Sequence, residues 1–128
     1  MQDIQHRSIY NAIGGQEAIE NIVRHFYKRV AKHPLLIPIF PEDLTETARK
    51  QTLFLTQFFG GPPLFSEERG HPMMRRRHLP FPITPSRRDA WLACMEEALE
   101  EAGIEDPYRT VIFEKLTLTA NHMMNTPE

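Results

Sequence analysis

Proline is the residue that most constrains how this chain can fold. The sequence contains eleven prolines in 128 residues. Proline lacks the N–H that a helix interior needs, and its ring clashes with the preceding turn. Most of these prolines lie between segments of periodic hydrophobicity. They are Pro34, Pro38, Pro41, Pro62, Pro63, Pro80, Pro82 and Pro85. Their placement predicts helices joined by stiff, irregular connectors.

Hydrophobic spacing predicts where the helices lie, because apolar residues three and four positions apart share one helix face. The spacing predicts a short turn over residues 8–13, helices over 16–32 and 44–59, a loop over 62–71 and a short helix over 72–79. Ser86, with Asp89 three residues later, resembles a capping box that opens the next helix, and Gly103 ends it. Asp106-Pro107 then predicts the start of a last helix, because Asp caps helices and Pro suits the first helical position.

The same patterns predict the fold class. No segment alternates apolar and polar residues or carries a hairpin dipeptide, so strand content should be near zero. We expect an all-α protein with four main helices and one short one, in a single domain over residues 1–128.

Composition narrows the function classes. The formal charge of −2 at pH 7 predicts no strong field for nucleic acid, membrane or acidic substrates. No apolar run is long enough to span a bilayer, and the polar N-terminal stretch carries no apolar signal core. Cys94 is the only cysteine, which excludes an intramolecular disulfide. We therefore expect a soluble cytoplasmic protein that binds neither nucleic acid nor membrane.

Polar side chains interrupt one helix face that should be buried. Thr47 and Gln51 share this face with Phe54 and Phe58, at spacings of four, three and four residues. A buried amide without a partner costs about 1–3 kcal/mol, so Gln51 needs a hydrogen bond. A structural bond to another helix would supply it, and a bond to a backbone carbonyl would do the same for Tyr27 on the preceding helix.

Trp91, His78 and a run of arginines complete the set of unusual residues. Each has an ordinary explanation alone: Trp91 as core, His78 as a surface or structural residue, and Arg75-Arg76-Arg77 as a solvated face. Taken together, donors on three helices, Tyr27, Gln51 and Trp91, can converge on one bound group. A neutral imidazole can ligate a metal, and arginines pair with carboxylates. An anionic tetrapyrrole with an axial His accounts for all of these features.

A series of short motifs runs along nearly the whole chain. The motifs are Tyr10-Asn11-Ala12-Ile13-Gly14-Gly15, His25-Phe26-Tyr27, Phe40-Pro41-Glu42-Asp43, Phe58-Phe59-Gly60-Gly61-Pro62, Arg69-Gly70-His71-Pro72, Arg77-His78-Leu79-Pro80-Phe81 and Asp89-Ala90-Trp91-Leu92. Each fragment is weak alone, but their combination and order are specific. Through them the chain resembles the truncated haemoglobins, and their second group in particular. The resemblance implies a truncated globin fold, a two-over-two helical sandwich around haem b.

The resemblance also implies roles for individual residues around the iron. His78 resembles the proximal iron ligand, Tyr27 the distal tyrosine and Trp91 the distal tryptophan of the group. Thr47 falls where larger globins usually carry a distal His, and Gln51 lies one turn later. The resemblance thus implies a polar far side on which small ligands bind.

Further positions match the residues that hold the haem itself. Lys50 resembles a propionate partner, and Arg77 is a second one. Phe40 matches an aromatic ring that packs against the haem, a position where several members have Tyr. Phe65 departs from the pattern, since its position is often held by a Tyr that bonds a propionate. The resemblance therefore does not carry that contact over.

Two function classes follow from the resemblance. The first is high-affinity, reversible binding of O2, with CO and NO as further ligands, for oxygen transport, storage or sensing. The second is a haem enzyme, an NO dioxygenase or a peroxidase. It would need a separate reductase, because the chain has no strand followed by a GxGxxG motif. The residues taken without the resemblance leave a third interpretation open, a haem-free helical interaction module.

Overall fold

Seven α-helices make up most of the computed structural model, which describes residues 8–71 and 73–128 and only the backbone of Met74 and Arg75. In chain order the helices are α1 Ile9–Ile13, α2 Gln16–Val30, α3 Thr45–Phe58, α4 Leu64–Arg69, α5 Met74–His78, α6 Pro85–Glu101 and α7 Tyr108–Met123. A 3-10 helix, Ile37–Ile39, lies between α2 and α3. The described residues contain no strand, which confirms the all-α class. Pro72, the predicted start of the short helix α5, lies outside the described residues.

The four longest helices form two layers. Helix α2 packs against α3 in one layer, and α6 packs against α7 in the other. Contacts between α2 and α6 join the layers, while the short helices α4 and α5 pack against α3 and α7. This is the two-over-two arrangement that the resemblance implies. None of the helices described is long and apolar enough to cross a bilayer.

The core follows the predicted helical spacing. Apolar residues three and four positions apart lie on one side of each long helix, and that side faces the neighbouring layer. Three helices supply most of the fully buried side chains. These are Ile19, Ile22 and Phe26 of α2, Met95, Ala98 and Leu99 of α6, and Ile112 and Leu116 of α7.

The start of α6 differs from the prediction in its capping residue. Thr84, not Ser86, is the N-cap, and its hydroxyl accepts a hydrogen bond from the Arg87 backbone N–H at 3.2 Å. Pro85 occupies the first helical position, where its constrained φ suits the helix and its missing N–H removes no bond. The predicted capping box of Ser86 and Asp89 was therefore wrong, because the helix already includes Pro85.

Helix α4 lies within the segment predicted as a loop, and bonds from α3 hold it. The Gln57 amide donates to the Ser66 hydroxyl at 2.8 Å and accepts from the Ser66 backbone N–H at 2.9 Å. The Arg49 guanidinium makes two bonds of 2.8 Å to the Glu68 carboxylate. A six-residue helix is too short to be stable alone or to show a clear hydrophobic period, so the sequence could not reveal it.

Helix α7 begins at Tyr108, one residue after the predicted start, with Pro107 at the N-cap position. The Asp106 carboxylate accepts hydrogen bonds from the hydroxyl of Thr110 at 2.6 Å and from its backbone N–H at 2.9 Å. These two bonds hold the pKa of Asp106 below its ordinary value. Asp106 thus accepts a hydrogen bond from an N–H of the first turn, as predicted. It does so from the position before the N-cap, because Pro107 occupies the N-cap itself.

Candidate functional site

A cavity of about 460 Å³ is lined by side chains from α2 through α7 and from the connectors between them. The structure places every predicted site residue in its wall. These residues are Tyr27, Phe40, Thr47, Lys50, Gln51, Phe65, Arg77, His78 and Trp91. The volume falls within the range of roughly 300–1,000 Å³ that is typical of small-molecule and cofactor sites.

Tyr27 reaches the cavity from the buried side of α2. Only 8% of its surface is exposed. Its ring meets Phe26 edge-on at 4.9 Å between centroids and Phe40 edge-on at 6.0 Å, which holds the phenol in one orientation. Burial raises the pKa of Tyr27 well above its ordinary value. The phenol therefore stays neutral and able to donate a hydrogen bond.

Two further donors reach the cavity from other helices. Trp91, on α6, lies 5.0 Å from Phe26 between ring centroids, and its half-buried indole lines the wall. Gln51 is half-buried on the α3 face that also carries Phe54, as predicted. Within the described residues, the Tyr27 hydroxyl, the Gln51 amide and the Trp91 N–H form no hydrogen bond with another protein group. The structural bonds that would have explained Gln51 and Tyr27 are thus not found there.

His78 is the last residue of α5, and its half-buried side chain lines the same cavity. Its backbone carbonyl accepts hydrogen bonds from the Asn125 side-chain amide at 3.2 Å and from the Phe81 N–H at 2.9 Å. No three metal-ligating side chains come together among the residues described. A single imidazole holds a metal firmly only when other ligands come with the metal, as the four nitrogens of a porphyrin do.

Cationic side chains line part of the cavity wall. They are Lys50, Arg69, Arg77, Arg87 and Arg88. No carboxylate is among the described lining residues, and Arg88 is ion-paired with Asp89 just outside the lining at 2.8 Å. The wall also contains many apolar side chains, with Leu36, Phe54 and Ile83 among the buried ones. An imidazole, apolar side chains and cations are together what haem requires, since its ring is apolar and its propionates are anionic. The residues present therefore fit this group.

The match to known proteins covers nearly the whole chain. The family model described as bacterial-like globin matches residues 8–125. The group 2 truncated haemoglobin YjbI of Bacillus subtilis (strain 168) is 60% identical over 119 residues, which are 93% of this chain and 89% of that protein. The chain belongs to the group II truncated haemoglobins.

Solved structures of group II truncated haemoglobins have the same fold. The protein from Bacillus anthracis superimposes with a TM-score of 0.95 at 56% identity, covering 100% of this chain and 96% of that one. The oxygen-avid truncated haemoglobin from Bacillus subtilis gives a TM-score of 0.90 at 60% identity, covering 93% of this chain and 100% of that one. The truncated globin fold is thereby confirmed. Membership of a haemoglobin family implies haem binding. It therefore argues against the third interpretation, a haem-free interaction module.

Three arginines of this truncated haemoglobin, Arg69, Arg87 and Arg88, were missed as wall residues. Arg69 ends α4, and its buried Nε has no hydrogen-bond partner among the residues that the structure describes. Arg87 donates to the carbonyls of Leu35 and Pro82, each at 2.9 Å, and so ties the α2–α3 connector to the α5–α6 connector. The motif containing Arg69 was visible in the sequence, but the surrounding segment was predicted as a loop. The two carbonyls that Arg87 contacts lie 52 and 5 residues away in the sequence. No helical or capping pattern predicts either contact.

Proposed function

We propose that this truncated haemoglobin binds haem b, whose iron the His78 imidazole would hold, and that it reversibly binds O2. Bound haem supplies a ferrous iron that takes up diatomic ligands. The protein supplies the imidazole on one side and the donors of Tyr27, Gln51 and Trp91 around the ligand. The observation that carries the proposal is that these donors, uncommitted to other described groups, share one cavity with His78.

The donors favour O2 over apolar occupants of the cavity. Haem iron would make a bound O2 a partly charged acceptor for these donors, and hydrogen bonds to a charged acceptor contribute about 1.5–3 kcal/mol. Neutral Tyr27 remains a donor because its pKa is raised by burial. Thr47 is small, so it leaves more room for a ligand than a bulky residue would. The oxygen-avid character stated for the Bacillus subtilis protein supports the same conclusion for this chain.

Lys50 and Arg77 are the proposed partners of the haem propionates, with Arg69 as an additional one. Each lines the cavity. The Arg77 guanidinium lies 5.2 Å from the centre of the Phe65 ring and donates to the Arg69 carbonyl at 3.1 Å, so its position is constrained. Phe40 supplies an aromatic wall. Phe65 supplies a ring in place of a hydroxyl, so it offers no hydrogen bond to a propionate.

The experiment is an absorption spectrum of the purified protein, reduced and then exposed to CO, for the native sequence and for His78→Ala. We expect a Soret band that shifts with CO in the native protein and an altered band, with rapid loss of haem, in His78→Ala. His122→Ala, on the exposed side of α7, is the matched control and should behave as native. An unaltered Soret band in His78→Ala would refute the role of His78.

NO dioxygenation and peroxide reduction would use the same donors, with a separate reductase. They are tested in the same preparation by measuring NO and peroxide consumption with and without a reducing system. Turnover limited only by the supply of electrons would replace the O2-binding function with an enzymatic one. Slow O2 release without turnover supports the proposal.

A further inference from the structure

We propose that Asn125 is a positioning residue for His78. Its side chain holds the carbonyl of His78 and the α5–α6 connector, residues 79–84, in place, and so sets the direction of the imidazole. The inference rests on the proposed function, because it takes His78 as the axial ligand. It assigns a role in haem binding to a residue that lies outside the cavity lining.

Every polar group of the Asn125 side chain bonds to this part of the chain. Its Nδ2 donates to the His78 carbonyl at 3.2 Å and to the Phe81 carbonyl at 2.9 Å. Its Oδ1 accepts from the Ile83 N–H at 2.9 Å, while its own backbone N–H donates to the Ile83 carbonyl at 3.1 Å. Among side chains, only an amide offers two N–H donors and a carbonyl acceptor on one short group. The match between Asn125 and the connector is therefore chemically specific.

The connector depends on these bonds because, apart from the Phe81 N–H bond to the His78 carbonyl and the Arg87 bond to the Pro82 carbonyl, few other hydrogen bonds hold it among the described residues. Pro80 and Pro82 have no N–H, so neither can donate a backbone hydrogen bond that would hold the chain in a turn. Helix α5 has only five residues and is too short to be stable alone. Its last carbonyls need partners outside the helix. Asn125 supplies one to His78, the residue whose side chain enters the cavity.

The bonds also reach the cavity wall itself. Phe81 and Ile83 line the cavity together with His78, and Asn125 bonds the backbone of all three. Ligating imidazoles are oriented by surrounding contacts, and loss of such contacts weakens metal binding. A connector that moves would shift the imidazole and the wall beside it together. Asn125 thus couples the segment after α7 to the position of the His78 imidazole.

The test compares Asn125→Asp with the native protein. Aspartate keeps an oxygen for the Ile83 N–H but offers no donor to the two carbonyls. Three readouts are measured: the rate of haem loss, the iron–histidine stretching band of the ferrous, ligand-free protein, and hydrogen exchange of the Ile83 amide in the haem-free protein. We expect haem loss about tenfold faster, since two neutral hydrogen bonds are removed. We also expect a shifted or broadened iron–histidine band.

Thr126→Val is the matched control. Its hydroxyl donates to Asn125 Oδ1 at 2.6 Å, so the substitution removes a neighbouring bond but leaves both bonds to the carbonyls. Haem loss and the stretching band should remain native-like. Comparable effects in both variants would show a general loss of stability and would overturn the positioning role.

The outcome separates this inference from the proposed function. If Asn125→Asp keeps native helix content, haem loss and stretching band, the inference fails, while the His78→Ala spectrum still tests the ligand. If the variant does not fold, the native protein decides the matter. Its Ile83 amide should exchange far more slowly than in an unstructured peptide of the same sequence, and free exchange would overturn the inference.

Discussion

At the scale of single residues, the cavity brings together side chains whose separate explanations were ordinary. A tyrosine, a glutamine and a tryptophan on three helices each have structural roles in most proteins. Here their donors face one cavity, and within the described residues they bond no other protein group. Their common feature is therefore the cavity that they surround. Substitutions that remove one donor at a time separate their contributions to ligand binding.

Trp91→Phe should speed O2 dissociation at least tenfold. The phenyl ring can keep the packing against Phe26, but it lacks the indole N–H, which as a donor to a charged acceptor contributes about 1.5–3 kcal/mol, or roughly 10–150-fold in rate. Stopped-flow measurement of O2 displacement by CO gives the rate. Tyr108→Phe, which alters an aromatic residue outside the cavity lining, is the control. An unchanged rate in Trp91→Phe would remove Trp91 from ligand stabilisation.

Tyr27 should make stability depend on alkaline pH. Its pKa is near 10.0 in the unfolded chain and is raised in the folded protein by burial. Folding therefore favours the protonated phenol. The resulting stability is fully present below pH 10 and is lost as the pH rises towards the folded pKa. The difference in unfolding free energy between the native protein and Tyr27→Phe should fall above pH 10. Urea denaturation at a series of pH values measures this difference. A difference that stays constant above pH 10 would contradict the raised pKa of Tyr27.

At the scale of helices, the boundaries depend on capping bonds more than on hydrophobic spacing. The long helices have the faces that the spacing predicts, yet α6 and α7 begin one or two residues away from the predicted positions. Proline is involved in both cases, because it can occupy the first helical position or the cap before it. The side chain that actually accepts the N–H bond decides which of these occurs.

Thr84→Ala should destabilise the protein by about 1 kcal/mol, because it removes the hydroxyl that caps α6. Ser86→Ala should change the stability little, since Ser86 lies inside the helix and its side chain is exposed. Urea denaturation of the two variants measures the difference. Equal losses, or a larger loss for Ser86→Ala, would favour the capping box expected from the sequence.

At the scale of the whole molecule, the cavity connects nearly all of the helices. Residues of α2 through α7 line it, and the bonds of Arg87 and Asn125 fix the connectors that close it. A group bound there would contact both layers of the sandwich at once. Binding and global stability should therefore be linked.

Removal of haem should lower the melting temperature. A ligand that binds only the folded state, present at 100 times its Kd, adds about 2.7 kcal/mol. For a chain of this size we expect a rise of roughly 10 °C between the haem-free and haem-bound protein. Differential scanning calorimetry at increasing haem concentration measures it. A melting temperature that does not respond to haem would contradict binding to the folded protein.

Helix content, the buried face of each long helix and the group of unusual polar residues were all predictable from the sequence. They depend on local periodicity and on residue chemistry, which neighbouring positions reveal. The motifs added the family and the expected haem site. Each predicted site residue lines the same cavity, although their roles stay a proposal until the substitutions are made.

Tertiary structure alone decided which distant groups meet. Helix α4 forms because α3 supplies bonds to Ser66 and Glu68, and Asn125 reaches the carbonyl of His78 across 47 residues of chain. Arg69 and Arg87 join the cavity wall for the same reason. A hydrogen bond between residues far apart in sequence leaves no periodic or local pattern. Such partners become visible only when packing of the two layers has brought the segments together.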